Sequence, residues 1–463
     1  MTDKQENWLK MAEKESRRAR RKRKKEIVKN RRAADKATAV EERRMRAANG
    51  TLGNSRTATL RKLGERYGGY DYSVAIMVII FSLFGVAMVF SAGYYQTINT
   101  SDPNPLYYLT KQLGFAVSGW ILMFGVANFD YHRYSKLAIP AVLISIGLLV
   151  LVLLIGSTTN NAQRWITILG VRITPSELSK FLVIIFTSAF LAKNPDNIRT
   201  LKGLGILLLV MGIHFGLIVK QPNLSTAIVI VVIMIAIMIV AGMNLLLLAF
   251  PAAAAIGGYF YIIRFRTPYH WYQRLTSFID PLADRQGDGY QVTQGLIALG
   301  NGGVRGLGFG KSIAKNMYLP EPQNDFILAI IGEELGFIGF LILMLCYMFL
   351  LYKLMLIAVR AEDKLGFYLA TGVAVMLGLQ VIINVAVVTS SMPATGITLP
   401  FISYGGTSMW SFMISMGISL NVSKKKRSKA KKKKRAQENP AQNAAAQPQP
   451  VYSALNSERM GYR

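Results

Sequence analysis

Cysteine is all but absent from this chain of 463 residues: Cys346 stands alone, so no internal disulfide can form. Histidine is nearly as scarce. His132, His214 and His270 are scattered without metal-ligand spacing, which argues against a transition-metal enzyme. Charged residues make up 17% of the chain and hydrophobic ones 52%, too little charge and too much apolar length for a soluble protein of this size. Acids are the scarcer sign, 25 against 54 lysines and arginines.

The resulting charge of +29 would fit nucleic-acid binding if it were spread over a folded face. It is not. About 22 of the basic residues precede Asp71 and about 12 follow Ser423. RRARRKRKKEIVKNRR and KKKRSKAKKKKR carry no interleaved aromatics, so solvated tails beside an anionic membrane surface explain them, and no nucleic acid is required. Residues 1–70 and 423–463 therefore read as basic cytoplasmic tails around a polytopic membrane domain at 71–422. The end of the second tail is low in complexity.

Apolar runs long enough to cross a bilayer, roughly 20 residues each, begin near Val74 rather than at the N-terminus, which predicts a first transmembrane helix and not a cleaved signal peptide. Runs fall at Val74–Ala92, Gln112–Phe129, Leu137–Gly156, Leu178–Ala192, Leu204–Val219, Leu224–Gly242, Leu245–Ile263, Phe326–Tyr352, Gly366–Val388 and Phe401–Val422. The expected fold is an all-α integral membrane protein of about ten helices, with a large loop, 264–325, between helices 7 and 8. An even number of spans puts both tails on one side, and the positive-inside rule makes that side the cytoplasm. The loop then lies outside, with the polar connections 156–177, 220–223 and 390–399.

That outer loop contains FIDPLADRQGDGYQVTQGLIALGNGG, where Asp280, Asp284 and Asp288 sit among arginines and glycines. An acid there can serve as a proton acceptor, and the glycines permit close backbone approach. A turn acid capping its own loop is the structural alternative. Upstream, RWITILGVRITPSELSK places Thr174, Pro175 and Glu177 as a capping box at a helix entering the membrane. Lys180 follows one turn later on the same face, so an ion pair with Glu177 is the other reading. LPEPQNDFILAIIGEELGFIG carries Asp325, Glu333 and Glu334, the glutamates expected to favour a helix N-terminus. MPATGITLPFISYGGTS carries Ser403, with prolines and glycines that predict irregular backbone lining a cavity.

In this order and between these spans, RWI…PSELSK, GDGYQ, LPE…DF…IGEELG and LPFISYGGTS resemble the SEDS (shape, elongation, division and sporulation) family of FtsW, RodA and SpoVE, over roughly 71–422. The division or sporulation branch is the nearer. The resemblance implies a peptidoglycan glycosyltransferase of the bacterial cytoplasmic membrane. It would polymerise lipid II outside the membrane, beside a class B penicillin-binding protein and other divisome or elongasome proteins. It further implies that the essential acid precedes GDGYQ, which here is Asp284. The family commonly continues Asp-Pro at this point, whereas this chain has Asp284-Arg285 and places its proline after Asp280, so Asp280 stays a second candidate. QPNLSTA likewise stands where the family more usually has QPDLGTA.

For that chemistry Asp284 is the candidate general base. Arg164, Arg172 and Lys180 are the candidate cradle for the departing diphosphate. Glu177, Tyr290, Gln291, Asp325, Glu333 and Ser403 are further substrate-site candidates. A divalent cation, magnesium or manganese, held by the diphosphate and one carboxylate can share the leaving-group role. Two other classes stay open at this point: a flippase for lipid II and a scaffold without chemistry of its own.

Overall fold

The computed structural model describes residues 70–99, 103–159, 162–168, 170–194, 196, 198, 200–265, 272, 278–279 and 288–424. Eleven helices appear among them: α1 Tyr72–Ile98, α2 Tyr107–Asn128, α3 Tyr134–Ile155, α4 Pro175–Lys193, α5 Leu201–Val219, α6 Leu224–Val240, α7 Ala249–Phe265, α8 Asp288–Gly302, α9 Ile327–Val359, α10 Lys364–Val388 and α11 Gly406–Ser423. Ten of them coincide with the apolar runs. The additional one, α8, lies inside the long polar connection. Three antiparallel strands, β1 Ser157–Thr159, β2 Ala162–Ile168 and β3 Val171–Ile173, form a small sheet within the 156–177 connection, where no strand was expected.

Among the described residues seven helices are both long and apolar enough to cross a membrane. α11 is not one of them, because serine, threonine and asparagine dilute its apolar content. Ser411, Ser415 and Ser419 recur every fourth residue along it, all buried. A Cβ at Gly417 would stand 2.5 Å from the carbonyl oxygen of Met123 on α2, so the α2–α11 crossing needs that glycine. α2 packs along α11, α3 along α4, and α9 along α10.

Backbone and side-chain contacts sort the connections into two ends. At one end Asp71 N donates to Ser423 Oγ (3.1 Å), Lys353 meets Asp71 Oδ2 (3.3 Å), and Tyr131 N donates to Asn421 Oδ1 (2.9 Å). This end carries the basic connections around Tyr131, Lys353 and Asp363, and the exits toward both tails. The sheet, the 220–223 turn and the segments 303–326 and 389–405 gather at the other end.

Candidate functional site

The polar end is built around the start of α4. Pro175 occupies the first turn, where its missing N–H is harmless, but Thr174 makes no side-chain cap. The expected capping box is thus not formed. Instead the Thr174 N–H donates to Thr407 Oγ1 (3.1 Å), and Thr407 in turn donates to the Arg172 carbonyl (3.3 Å). β3, α4 and α11 are joined at this one threonine. Glu177 is freed to accept from Lys180 Nζ at 2.6 Å, the ion pair read as the alternative. Ser411 Oγ donates to the Glu177 carbonyl (2.8 Å), and Oε2 of Glu177 is buried with no hydrogen-bond partner among the described residues.

Arg172 stays exposed on β3. It lies close enough to Tyr404 to oppose the upward shift of that phenol, which burial first and Tyr107 and Tyr108 second push up to about 12. Arg164 turns elsewhere: its Nε donates to the Gln221 carbonyl (3.1 Å) and a terminal nitrogen to the Pro222 carbonyl, clamping the 220–223 turn.

Ser403 is a structural knot. Its Oγ accepts from Leu399 N (2.8 Å), and its carbonyl accepts from Gln112 Nε2 (3.2 Å). The irregular backbone expected of LPFISYGG is present here, with Phe401 at φ 65°. Tyr404 N donates to the Gln323 carbonyl (2.9 Å), and the Gln323 amide donates to Gln96 Oε1 (2.9 Å) and Tyr108 OH (3.0 Å). The Asp325 carbonyl accepts from Asn384 Nδ2 (2.8 Å).

Glu333 and Glu334 are fully buried, and they lie well inside α9 rather than at its N-terminus. The expected pairing with a helix start is replaced by side-chain partners. Glu333 accepts from Ser312 Oγ, from Ala314 N (3.2 Å) and from Asn301 Nδ2 (3.4 Å). Glu334 takes Lys315 Nζ at 3.0 Å and Ser91 Oγ at 2.7 Å. α9 breaks just after them, at Gly336 with φ 67° and ψ −171°. The break is filled by chain: Leu307 N and Gly308 N donate to the carbonyls of Glu333 and Glu334, both at 2.9 Å, while Phe337 N and Ile338 N donate to those of Gly303 and Val304. Backbone groups exposed by a broken membrane helix must find such partners. A Cβ on Gly336 would stand 2.3 Å from Gly306 N, so side chains are excluded at the crossing.

Tyr290 and Gln291 lie on α8, where Gln291 Nε2 donates to the Pro320 carbonyl (3.2 Å). The structure thus pairs Glu177 with Lys180 directly, ties Arg172 to the same end through its carbonyl and Thr407, links Ser403 and Asp325 there through the 389–405 and 303–326 segments, and sets Glu333 in a separate polar nest. Asp280, Asp284 and Arg285 lie outside the described residues. Neither Lys315 nor Ser91 stands out in the amino-acid sequence as a site residue. The usable signal was the pair of glutamates inside an apolar helix, which calls for a buried cation. Among the described residues no group of three His, Cys, Asp or Glu is placed to hold a metal ion.

These features have close relatives. A probable peptidoglycan glycosyltransferase FtsW of Geobacter sp. (strain M18) is 36% identical over 366 residues, covering 78% of this chain and 99% of the relative. Stage V sporulation protein E of Bacillus subtilis (strain 168) is 37% identical over 360 residues, covering 77% and 98%. Among solved structures, a peptidoglycan synthase complex that coordinates polymerization and crosslinking contains a chain similar at TM-score 0.63 and 25% identity, covering 77% of this chain and 98% of that one. The rod shape determining protein RodA of Thermus thermophilus matches at TM-score 0.56, with the same identity and coverage. The family model of the FtsW, RodA and SpoVE cell cycle proteins matches residues 71–428, and this multi-pass membrane chain belongs to that family.

Proposed function

We propose that this protein is a peptidoglycan glycosyltransferase that polymerises lipid II at the polar end of the bundle. The observation that carries the reading is similarity along almost the full length of relatives bearing that activity in their names. The pair of buried Lys180 with part-buried Glu177, together with the exposed Arg172, supplies fixed charge at that end.

In the proposed reaction an acceptor sugar hydroxyl attacks the anomeric carbon of a lipid-linked donor. The new glycosidic C–O bond forms, the bond from that carbon to the diphosphate oxygen breaks, and undecaprenyl diphosphate leaves. Asp284 takes the hydroxyl proton as general base. The exposed Arg172 faces the negative charge that develops on the diphosphate, and Lys180, paired with Glu177, contributes fixed positive charge without direct contact. Arg164 acts through the 220–223 turn it clamps, which sets the start of α6.

The polar end faces outward and both tails face the cytoplasm, the orientation supported by the basic connections at the opposite end. Neighbourhood to a synthase complex supports a class B penicillin-binding protein as partner, and the relatives support a role in division or sporulation. Purified protein supplied with lipid II is expected to make glycan polymer visible on gels. Translocation of lipid II across liposomes without any polymer would replace this reading with that of a flippase.

A further inference from the structure

The 303–326 segment runs from α8 to α9 as a strap with inverted polarity. Phe309, Ile313, Met317 and Tyr318 are more than half exposed, whereas Lys315 is 3% exposed and is the one buried charge of the segment. Its ammonium meets Glu334 Oε1 at 3.0 Å and Ser91 Oγ of α1 at 3.0 Å. Ser91 also donates to Glu334, so the three groups close on one another across strap, α9 and α1.

Lys315 thus supplies the one charged anchor in the middle of the strap, beside Ser312 and Ala314, which hydrogen-bond to Glu333, while the two flanks are held by other means. Upstream, residues 303–308 are pinned by backbone into the break of α9. Downstream, Gln323 is pinned to Gln96 and Tyr108. Between them Pro320 is the point on which Gln291 of α8 hangs. α8 follows directly on the stretch that contains Asp284.

We propose that Lys315 is a positioning residue for glycosyl transfer: locked between Glu334 and Ser91, it fixes the strap and through it the height and rotation of α8. The inference rests on the polymerase reading. Lys315 touches no substrate. Its removal should misplace α8 while the Arg172–Glu177–Lys180 end stays intact, so turnover should fall and substrate affinity should not.

A single Lys315→Met change leaves Glu334 buried without its cation and can unfold the protein. The decisive variant is therefore Lys315→Met with Glu334→Gln, which removes both charges together. In full-length purified protein this pair should melt close to wild type. Its kcat on lipid II should fall about 100-fold, the scale of a small misplacement of catalytic geometry, with KM unchanged and faster hydrogen exchange in 288–302. Lys315→Arg, which keeps the charge, should recover most of the turnover. A folded double variant with undiminished kcat, or with a raised KM as its only defect, overturns the proposal. A folded wild type that makes no glycan removes the polymerase reading and this inference with it.

Discussion

The ammonium of Lys180 lies 2.6 Å from Oε1 of Glu177, one turn away on α4, with the lysine side chain 2% exposed and the acid 16%. Taking two charges this far from water is favourable only when each keeps the other, and Oε2 of Glu177 already lacks a partner among the described residues. Lys180→Met is therefore expected to destabilise the protein by about 3–5 kcal/mol and to abolish polymerisation. Lys180→Met with Glu177→Gln should recover much of the stability and none of the activity. Thermal melts in detergent beside a lipid II assay separate the two effects.

The break in α9 gives a steric prediction. Gly336 holds φ 67°, and a Cβ there would stand 2.3 Å from Gly306 N. Backbone strain alone is about 1–3 kcal/mol for a non-glycine residue in such a conformation. Gly336→Ala should add a clash against backbone that cannot move without losing four hydrogen bonds. A sharply lowered melting temperature is expected; an unchanged one would mean that the strap is not seated in the break.

Thr407 offers a milder test. Its hydroxyl accepts from Thr174 N and donates to the Arg172 carbonyl. Thr407→Val keeps the shape and removes both bonds, which should lower stability by about 1–2 kcal/mol. Because β3 carries Arg172, KM for lipid II should rise in the same variant. Thr407→Ser should behave as wild type in both measurements.

The spans were legible because lipid imposes a length and a polarity that local sequence must meet on its own. α9, for instance, runs as one apolar stretch straight through its break. The break itself was not legible. A glycine among leucines and phenylalanines carries no sign that a segment some thirty residues upstream inserts its own amides there. The sheet at 157–173 was hidden for a related reason: its strands are three to seven residues long and pair only with one another. At the site, the Lys180–Glu177 spacing was readable as an i,i+3 pair, but the choice between pair and capping box depended on Thr407 of α11, more than two hundred residues away. The two glutamates of α9 call for a buried cation, but which one was hidden for the same reason. The partners of Lys315 come from α1 and α9, and only the fold brings them together.

If Asp284 removes the acceptor proton, the change Asp284→Asn must stop polymerisation. The amide keeps the size of the carboxylate and cannot take a proton at neutral pH, so a general base lost this way should lower the rate by about 100-fold or more. Purified wild-type and Asp284→Asn proteins with equal melting temperatures should be compared for glycan formation from lipid II, with substrate binding measured alongside. Polymer is expected from the wild type, essentially none from the variant, and equal binding from both. Undiminished polymerisation by Asp284→Asn would contradict that role and pass it to Asp280.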